Sequence, residues 1–302
     1  MTETLARPSH SFTRIAYLGT PDVAVPTLRA IHDAGFEIPI VVTRPDRRRG
    51  RGGALSPSPV KEAALELGLD VSDDLDVLRD VDVDLAVVVA YGRIIPTSLL
   101  ERIPMVNLHF SLLPRWRGAA PVERAILAGD QQTGVCLMQV AEGLDTGDIY
   151  DSVVVDIADD DTLGSLRGRL VELGSAMVVR ALTEGLPEPR AQAGEPVHAA
   201  KIDPAELRID WSRSAQQISR VIRLGGAWTT FRDKRLKIAR AAVVHRDDLA
   251  AGVIEATIDA TVVGTSDGAI ELLEVQPEGR ARIAADAWRN GAKPRVGEQV
   301  GA

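Results

Sequence analysis

The chain has 302 residues, 45% of them hydrophobic and 26% charged, with a formal net charge of −8. This is an ordinary globular composition with a sizeable core, and the length favours two domains over one. The longest apolar runs, Leu85 to Tyr91 and Ile38 to Val42, are strand length and far short of the roughly 20 residues of a membrane span. A lone cysteine, Cys136, excludes an internal disulfide and suits a reducing cytosol, so a cytoplasmic protein is expected. A monomer without membrane contact is also expected.

Residues 1–13 carry Glu3 and a proline and lack a long apolar core, which fits neither a secretory signal nor an acid-poor transit peptide. A loose tail is expected there. Ile15 to Leu18 predicts a short strand ending at Gly19, and Val23 to Ala34 a helix capped by Asp22 and stopped by Gly35. Ile38 to Thr43 is the next strand. After an interruption at 44–59, Val60 to Leu67 is helical, and an aspartate-rich link from Asp70 to Asp84 leads into the strand Leu85 to Ala90. Met105 to His109 is a further strand, Ala119 to Ala128 a helix, Val135 to Leu137 part of a buried strand, and Thr162 to Glu184 a helix. Continuous apolar strands separated by helices mark a parallel sheet covered on both faces. Ligands in such sheets bind at the carboxyl ends of strands.

Residues 185–204, rich in Pro, Gly and Ala, read as a linker between a domain at 14–184 and one at 205–302. In the second, a helix from Ala215 to Leu224 precedes β-like runs at Trp228 to Phe231, Leu236 to Ala242, Gly252 to Ala256, Ala260 to Val263 and Ala269 to Val275. Short strands with Gly and Asp turns predict a small β-barrel.

Charge is segregated between these parts. Residues 1–204 hold 20 basic against 30 acidic side chains, whereas 205–302 hold 15 against 13. Arg208 to Arg240 carries nine basic residues opposed by Asp210 and Asp233 alone, and Arg44 to Arg51 carries five arginines with one aspartate. Such clusters bind a polyanion locally by counterion release. A solvated arginine face is the alternative that charge alone leaves open.

Several chemistries are absent. Leu18-Gly-Thr-Pro-Asp22 offers one glycine where a dinucleotide fingerprint needs three, and there is no Gly-rich loop ending in Lys-Ser or Lys-Thr. The five histidines do not occur at metal-ligand spacing, so no metal is expected. What stands out is Asn107-Leu-His109 at the end of a strand, followed by Leu144-Asp145-Thr-Gly-Asp148. Moving a one-carbon acyl group to an amine builds charge on an oxygen and releases a proton from nitrogen. Asn107 can donate to that oxygen, His109 can donate or shuttle the proton, and Asp145 can tune the imidazole. On residue types alone, a satisfied structural histidine and a plain turn at 143–148 stay open.

Asn107-x-His109-x-Ser111-Leu112-Leu113-Pro114 together with Leu144-Asp145-Thr146-Gly147-Asp148 resembles the signature of the folate-dependent formyltransferases. Arg115-Trp-Arg-Gly-Ala-Ala-Pro121, Leu18-Gly-Thr-Pro-Asp22, Pro45-Asp-Arg47 and Ser56-Pro-Ser-Pro-Val-Lys61 are similar to the branch that acts on an aminoacyl-tRNA. Arg208-Ile-Asp-Trp211 and Gly226-Ala-Trp228 extend the likeness into the second domain.

The resemblance implies a Rossmann-like N-terminal domain and a smaller C-terminal barrel resembling an OB-fold. It also implies 10-formyltetrahydrofolate as formyl donor and initiator methionyl-tRNA as acceptor. Carried over to matching positions, Asn107, His109 and Asp145 are catalytic. The folate pocket is lined by Val88, Val89, Ala90, Tyr91, Gly92, Ile94, Ile95 and Pro96, by Gln139, Val140, Gly143 and Leu144, and by Ser111, Leu112, Leu113 and Pro114. Ordinary core packing is the alternative for Tyr91, Ile94 and Ile95. Phosphate contacts fall to Arg44, Arg47, Arg48, Arg49 and Arg51 in the loop, and to Arg208, Arg213, Arg232, Lys234, Arg235 and Lys237 in the second domain.

Two departures accompany the likeness: Phe110 stands where many relatives carry glycine, and the stretch from Leu69 to Asp84 is short and acidic. Two other readings stay open, an enzyme formylating a sugar-nucleotide amine, against which the arginine loop speaks, and a silent RNA-binding protein on the same fold.

Overall fold

The computed structural model describes residues 5–6, 8, 11–49, 54–295 and 297–301. The chain divides into two compact units, one of residues 1–122, 131–157 and 166–200, the other of 123–130, 158–165 and 201–302.

The first unit holds strands β1 (Arg14–Gly19), β2 (Glu37–Val42), β3 (Arg47–Arg49), β4 (Ala54–Ser56), β5 (Val71–Ser72), β6 (Leu85–Val89), β7 (Met105–His109), β8 (Arg117–Gly118), β9 (Gln132–Gln139), β10 (Ile149–Asp156) and β11 (His198–Ala199). Helices α1 (Val25–Asp33), α2 (Pro59–Glu66) and α3 (Thr97–Leu100) lie within it, and most of α5 (Leu163–Glu184) belongs to it; α4 (Pro121–Ala128) begins there. The main sheet runs β10-β9-β7-β6-β1-β2-β5, parallel from β7 through β5, with β9 and β10 antiparallel at one edge. All five residues of β6 are buried, as expected of a strand covered on both faces. From β1 the chain passes to β2 on one side and later returns to β6 on the other, so the order reverses beside β1. This places a crevice at the carboxyl ends of β1 and β6.

The faces of β7 are set by its period of two. Leu108 points to α5, where a Cβ at Gly174 would meet its Cδ2 at 2.8 Å, so only glycine permits that approach. Asn107 and His109 share the other face, with Met105, which packs in a cluster with Val88, Tyr91, Ile95 and Leu99. The link from Leu69 to Asp84 contains one 3-10 turn, Leu75–Arg79, in place of a crossover helix. Phe110 is buried. Three described residues before β1 are tied down: Leu5 packs against the cluster just named, Ala6 donates to the Leu100 carbonyl at 3.0 Å, and Phe12 is buried. Those residues of the expected loose tail are anchored by burial that thirteen residues of mixed polarity did not advertise.

The second unit contains α6 (Ala215–Arg223), an antiparallel sheet of β12 (Trp228–Phe231), β13 (Lys234–Val244), β14 (Ile254–Ala256), β15 (Thr261–Gly264), β16 (Ala269–Pro277) and β17 (Ile283–Ala284), and α7 (Ala285–Ala292). Strand order is β12-β13-β16-β15-β14, with β17 on β16. The sheet curls, and residues 298–301 bridge its ends. Glu298 accepts from Ile254 at 2.8 Å, Val300 donates to Gly252 at 2.9 Å, and Gly301 donates to Thr230 at 2.9 Å. Inside lie Trp211, Ile218, Ile238, Val275 and Trp288. Ser214 opens α6 through a reciprocal capping box with Gln217.

Arg232, expected among the phosphate contacts, is instead committed to this closing segment. It bonds the Glu298 carboxylate at 2.6 and 2.8 Å and the Ala292 and Lys293 carbonyls at 3.0 and 3.3 Å. Hydrogen bonds from Arg232 and the Arg295 backbone hold the Glu298 carboxyl down at about 2, against an ordinary 4.5. A depressed carboxyl contributes stability above its unfolded value and loses it as pH falls from that value towards 2. Glu298→Gln should therefore lower Tm at neutral pH but leave it near wild type at pH 2, as read by calorimetry at both.

Candidate active site

Three segments meet beyond the carboxyl end of β7. The strand delivers Asn107, half-buried, and His109, 5% exposed. Its register sets Asn107 beside Val88 of β6 and Met138 of β9, and His109 beside Cys136. Next comes the loop 110–119, in which the Ser111 hydroxyl donates to the Arg115 carbonyl at 2.7 Å and the Leu113–Pro114 peptide is cis. Arg115 stacks over the Trp116 ring with its guanidinium carbon 4.4 Å from the centroid. The third is the turn 143–148 between β9 and β10, closed by the Thr146 hydroxyl on the Gly143 carbonyl at 3.0 Å. A Cβ at Gly147 would stand 2.0 Å from the Gln139 carbonyl oxygen, so the turn can lie this close to β9 only with glycine there.

His109 Nε2 lies 2.9 Å from the Trp116 carbonyl oxygen, and Nδ1 lies 3.6 Å from Asp145 Oδ2. A carbonyl can only accept, so Nε2 is the nitrogen that donates there, and Nδ1 is the one turned to Asp145. The Asp145 Oδ2 that faces it also accepts from the Gly118 N–H at 2.8 Å. Asp145 is held in the left-handed region at φ 53°, as is Trp116 at φ 66°. Such strain at non-glycine residues persists only where surrounding contacts fix them. The structure thus brings Asn107, His109 and Asp145 to one place.

The residues expected to line a pocket divide by their burial. Val88, Val89, Ile95, Ser111 and Leu113 are buried. Ile94 and Leu144 stand 88% and 62% exposed, two large apolar side chains open to an incoming ring. Gln139, Val140, Leu112 and Pro114 are half-buried; Gly143 and Pro96 are exposed. After β6 the chain turns through Ala90 at φ 47° and Gly92 at φ 73°. Between them the Tyr91 carbonyl accepts from the Thr20 hydroxyl, while its own hydroxyl is buried without a hydrogen-bond partner among the described residues. Burial pushes the Tyr91 phenol up against the pull of Arg93 and Arg44.

Of the basic residues, Arg44 reaches this same turn: a Cβ on Gly92 would lie 3.6 Å from its guanidinium. Arg47 and Arg48 are exposed on the β3–β4 hairpin, where Arg48 pairs with Leu55, itself 69% exposed. Arg49 belongs to β3, and Arg51 lies outside the described residues. In the second unit Arg208, Arg213, Lys234, Arg235 and Lys237 are all exposed, with Arg213 paired to Asp210 at 3.5 Å. Arg208 and Arg235 both lie over Trp228, at 5.6 and 4.2 Å from the ring centroid. Lys237 pairs with Trp228 across β12 and β13, giving a cationic face around an aromatic ring.

Gln192 was not among the expected site residues. It lies in the segment read as a linker, yet its carboxamide bonds the Asp145 and Gly147 carbonyls and Arg117. A single glutamine between alanines offers no local sign of partners so far away in sequence. The other unforeseen group is the Gly118 N–H. That glycine belongs to the quoted loop motif, but which backbone donor would reach Asp145 depends on how two loops meet.

The profile of the Formyl transferase family matches residues 13–182, and that of the Formyl transferase C-terminal domain matches residues 201–293. Methionyl-tRNA formyltransferase of Neisseria meningitidis serogroup C (strain 053442) is 42% identical, with 94% of this chain and 99% of the relative covered. Its counterpart from Streptomyces coelicolor is 41% identical, with 95% and 99% covered. Among solved structures, an N-formyltransferase from Helicobacter canadensis in complex with folinic acid and dTDP-3-aminofucose has a TM-score of 0.67 at 18% identity, covering 88% of this chain and 99% of that one. Methionyl-tRNA formyltransferase from Clostridium thermocellum has a TM-score of 0.55 at 19% identity, covering 78% and 95%. At those identities the two structures speak for the fold.

Proposed function

The chain belongs to the formyl transferase family, and on that premise we propose that it moves a formyl group from 10-formyltetrahydrofolate to the α-amine of initiator methionyl-tRNA. The observation that carries the acceptor is the 42% identity to a methionyl-tRNA formyltransferase across 94% of the chain, both units included.

The residues at the crevice fit a folate. Exposed Ile94 and Leu144 offer apolar walls, and the left-handed turn at 90–92 offers peptide edges to a pterin, beside a buried tyrosine hydroxyl with no partner among the described residues. When bound, the folate supplies an electrophilic formyl carbon. Asn107 donates to the formyl oxygen as it gains charge, and the His109 ring stabilises the same charge electrostatically. Asp145, fixed by Gly118 and facing His109, gives the amine proton a nearby carboxylate route, and as the formyl carbon–nitrogen bond of the donor breaks that proton passes to the departing folate nitrogen.

The tRNA is met by two basic surfaces, the β3–β4 hairpin of the first unit and the Arg208, Trp228, Arg235 and Lys237 face of the second. Most of this contact is to phosphate and carries little sequence information. The double variant Arg208→Glu with Arg235→Glu should raise KM for methionyl-tRNA roughly tenfold or more and flatten its salt dependence, with kcat at saturating tRNA little changed. Unchanged KM across a salt titration would remove this face from the interface.

The proposal is tested by offering the protein 10-formyltetrahydrofolate with methionyl-tRNA or with a dTDP-linked amino sugar, each alone. Formylation of the tRNA supports it. Formylation of the sugar alone would replace the acceptor while keeping the chemistry.

A further inference from the structure

Residues 190–199 run across both loops of the site. Arg190 and Ile149 exchange two backbone hydrogen bonds, at 2.8 and 2.9 Å. Val197 donates to the Pro114 carbonyl at 3.2 Å and accepts from the Arg117 N–H at 2.9 Å, and the Ala199 carbonyl accepts from Ala119 at 2.9 Å. β11 pairs with β8 in parallel, His198 beside Arg117 and Ala199 beside Gly118.

Between these anchors sits Gln192, half-buried. Its Nε2 donates to the carbonyl oxygens of Asp145 at 2.9 Å and Gly147 at 2.8 Å. On the other side, its Oε1 accepts from Arg117 Nε at 3.0 Å and from a terminal guanidinium nitrogen at 2.6 Å. This use requires a group with two donors at one end and an acceptor at the other, which a carboxamide alone among side chains supplies at this length. Both ends matter to one atom. The Asp145 carbonyl belongs to the residue whose carboxylate faces His109, and Arg117 precedes the glycine whose N–H holds that carboxylate.

We propose that Gln192 is a positioning residue for formyl transfer, fixing the Asp145 turn against the Arg117–Gly118 strand so that Asp145 Oδ2 keeps its place between the Gly118 N–H and His109 Nδ1. This rests on the reading of Asp145 as part of the catalytic group. Asp145 sits in the left-handed region, and the two bonds to its own carbonyl and to that of Gly147 hold the turn in that conformation. Released, the turn relaxes and carries the carboxylate with it, and a misplacement of about 1 Å can cost roughly 10² in rate.

The test compares Gln192→Glu, Gln192→Met, Asp145→Asn and the double variant Gln192→Glu with Asp145→Asn, each assayed for kcat, both KM values and Tm. Gln192→Glu keeps the size and the acceptor for Arg117 but sets a carboxylate against two carbonyls. Gln192→Met keeps the volume and makes none of the bonds. The expected result is a kcat loss of roughly 10- to 100-fold in both, with each KM within about threefold of wild type and cooperative melting retained. In the Asp145→Asn background, Gln192→Glu should cost less than about threefold more, because the group it positions is already gone. Wild-type kcat in both Gln192 variants, or a full additional loss in the double variant, would overturn the proposal. Wild-type turnover in Asp145→Asn would overturn the reading of Asp145 instead.

Discussion

His109→Ala is expected to lower kcat for formyl transfer by roughly 10²- to 10³-fold, the loss usual for removing one donor aimed at developing negative charge. The imidazole is nearly enclosed, with Nε2 on the Trp116 carbonyl and Nδ1 opposite Asp145. Truncation removes the ring and with it the hydrogen bond to the Trp116 carbonyl. The fold should survive with a modest drop in Tm. The substitution acts mainly in the transition state, so KM for the folate donor should move little while kcat and kcat/KM fall together. Stopped-time assays of formyl-methionyl-tRNA, with a melt on the same sample, check both parts; near-normal turnover would refute the role assigned to His109.

The second large effect is expected at a residue with no side chain. Gly118 sits at φ 122°, and a Cβ there would lie 2.8 Å from the Ala199 carbonyl oxygen and 3.0 Å from His198 Cε1. Gly118→Ala therefore combines a backbone conformation that costs a non-glycine residue about 1–3 kcal/mol with overpacking of about 1–3 kcal/mol. The strand can relieve this only by moving away from β11, which takes its N–H away from Asp145. A destabilisation of order 2–5 kcal/mol is expected together with a loss of turnover of at least roughly tenfold. Thermal denaturation and steady-state kinetics on one preparation read both quantities. Wild-type values for both would mean that β8 and β11 are not held together as described.

On residue types alone Asn107, His109 and Asp145 stayed open as a site, and the likeness to formyltransferase motifs singled them out; what the spacing did show is that Asn107 and His109, two apart in β7, share one face of the strand. Asp145 stood out through the glycines around it, and Gly147 does prove to need its missing side chain. The alternation of strand and helix gave the parallel sheet, and the short β runs of 228–275 gave the curled second unit, though not the use of 298–301 to bridge its ends.

What could not be read was anything decided by loops meeting across long sequence separations. Pro, Gly and Ala in 185–200 look like a tether, yet in the structure that stretch supplies β11 and the Gln192 bonds. Composition reports a lack of regular structure, and a strap that bonds through scattered backbone groups has none. The same limit applies to charge. Counting arginines marked 208–240 as basic, but Arg232 is bound to Glu298, and Arg220 and Arg223 reach the Ala128 and Ala158 carbonyls, whereas the exposed Arg208 and Arg235 flank the half-buried Trp228 ring.

The most direct test of the account is a single-turnover reaction. The protein, in excess over initiator tRNA charged with methionine, is mixed with 10-formyltetrahydrofolate labelled in the formyl carbon, and the label is followed into aminoacyl-tRNA. The account predicts label on the methionine α-amine at a rate that collapses in His109→Ala. Label that never enters the tRNA, or enters equally fast in the variant, would contradict it.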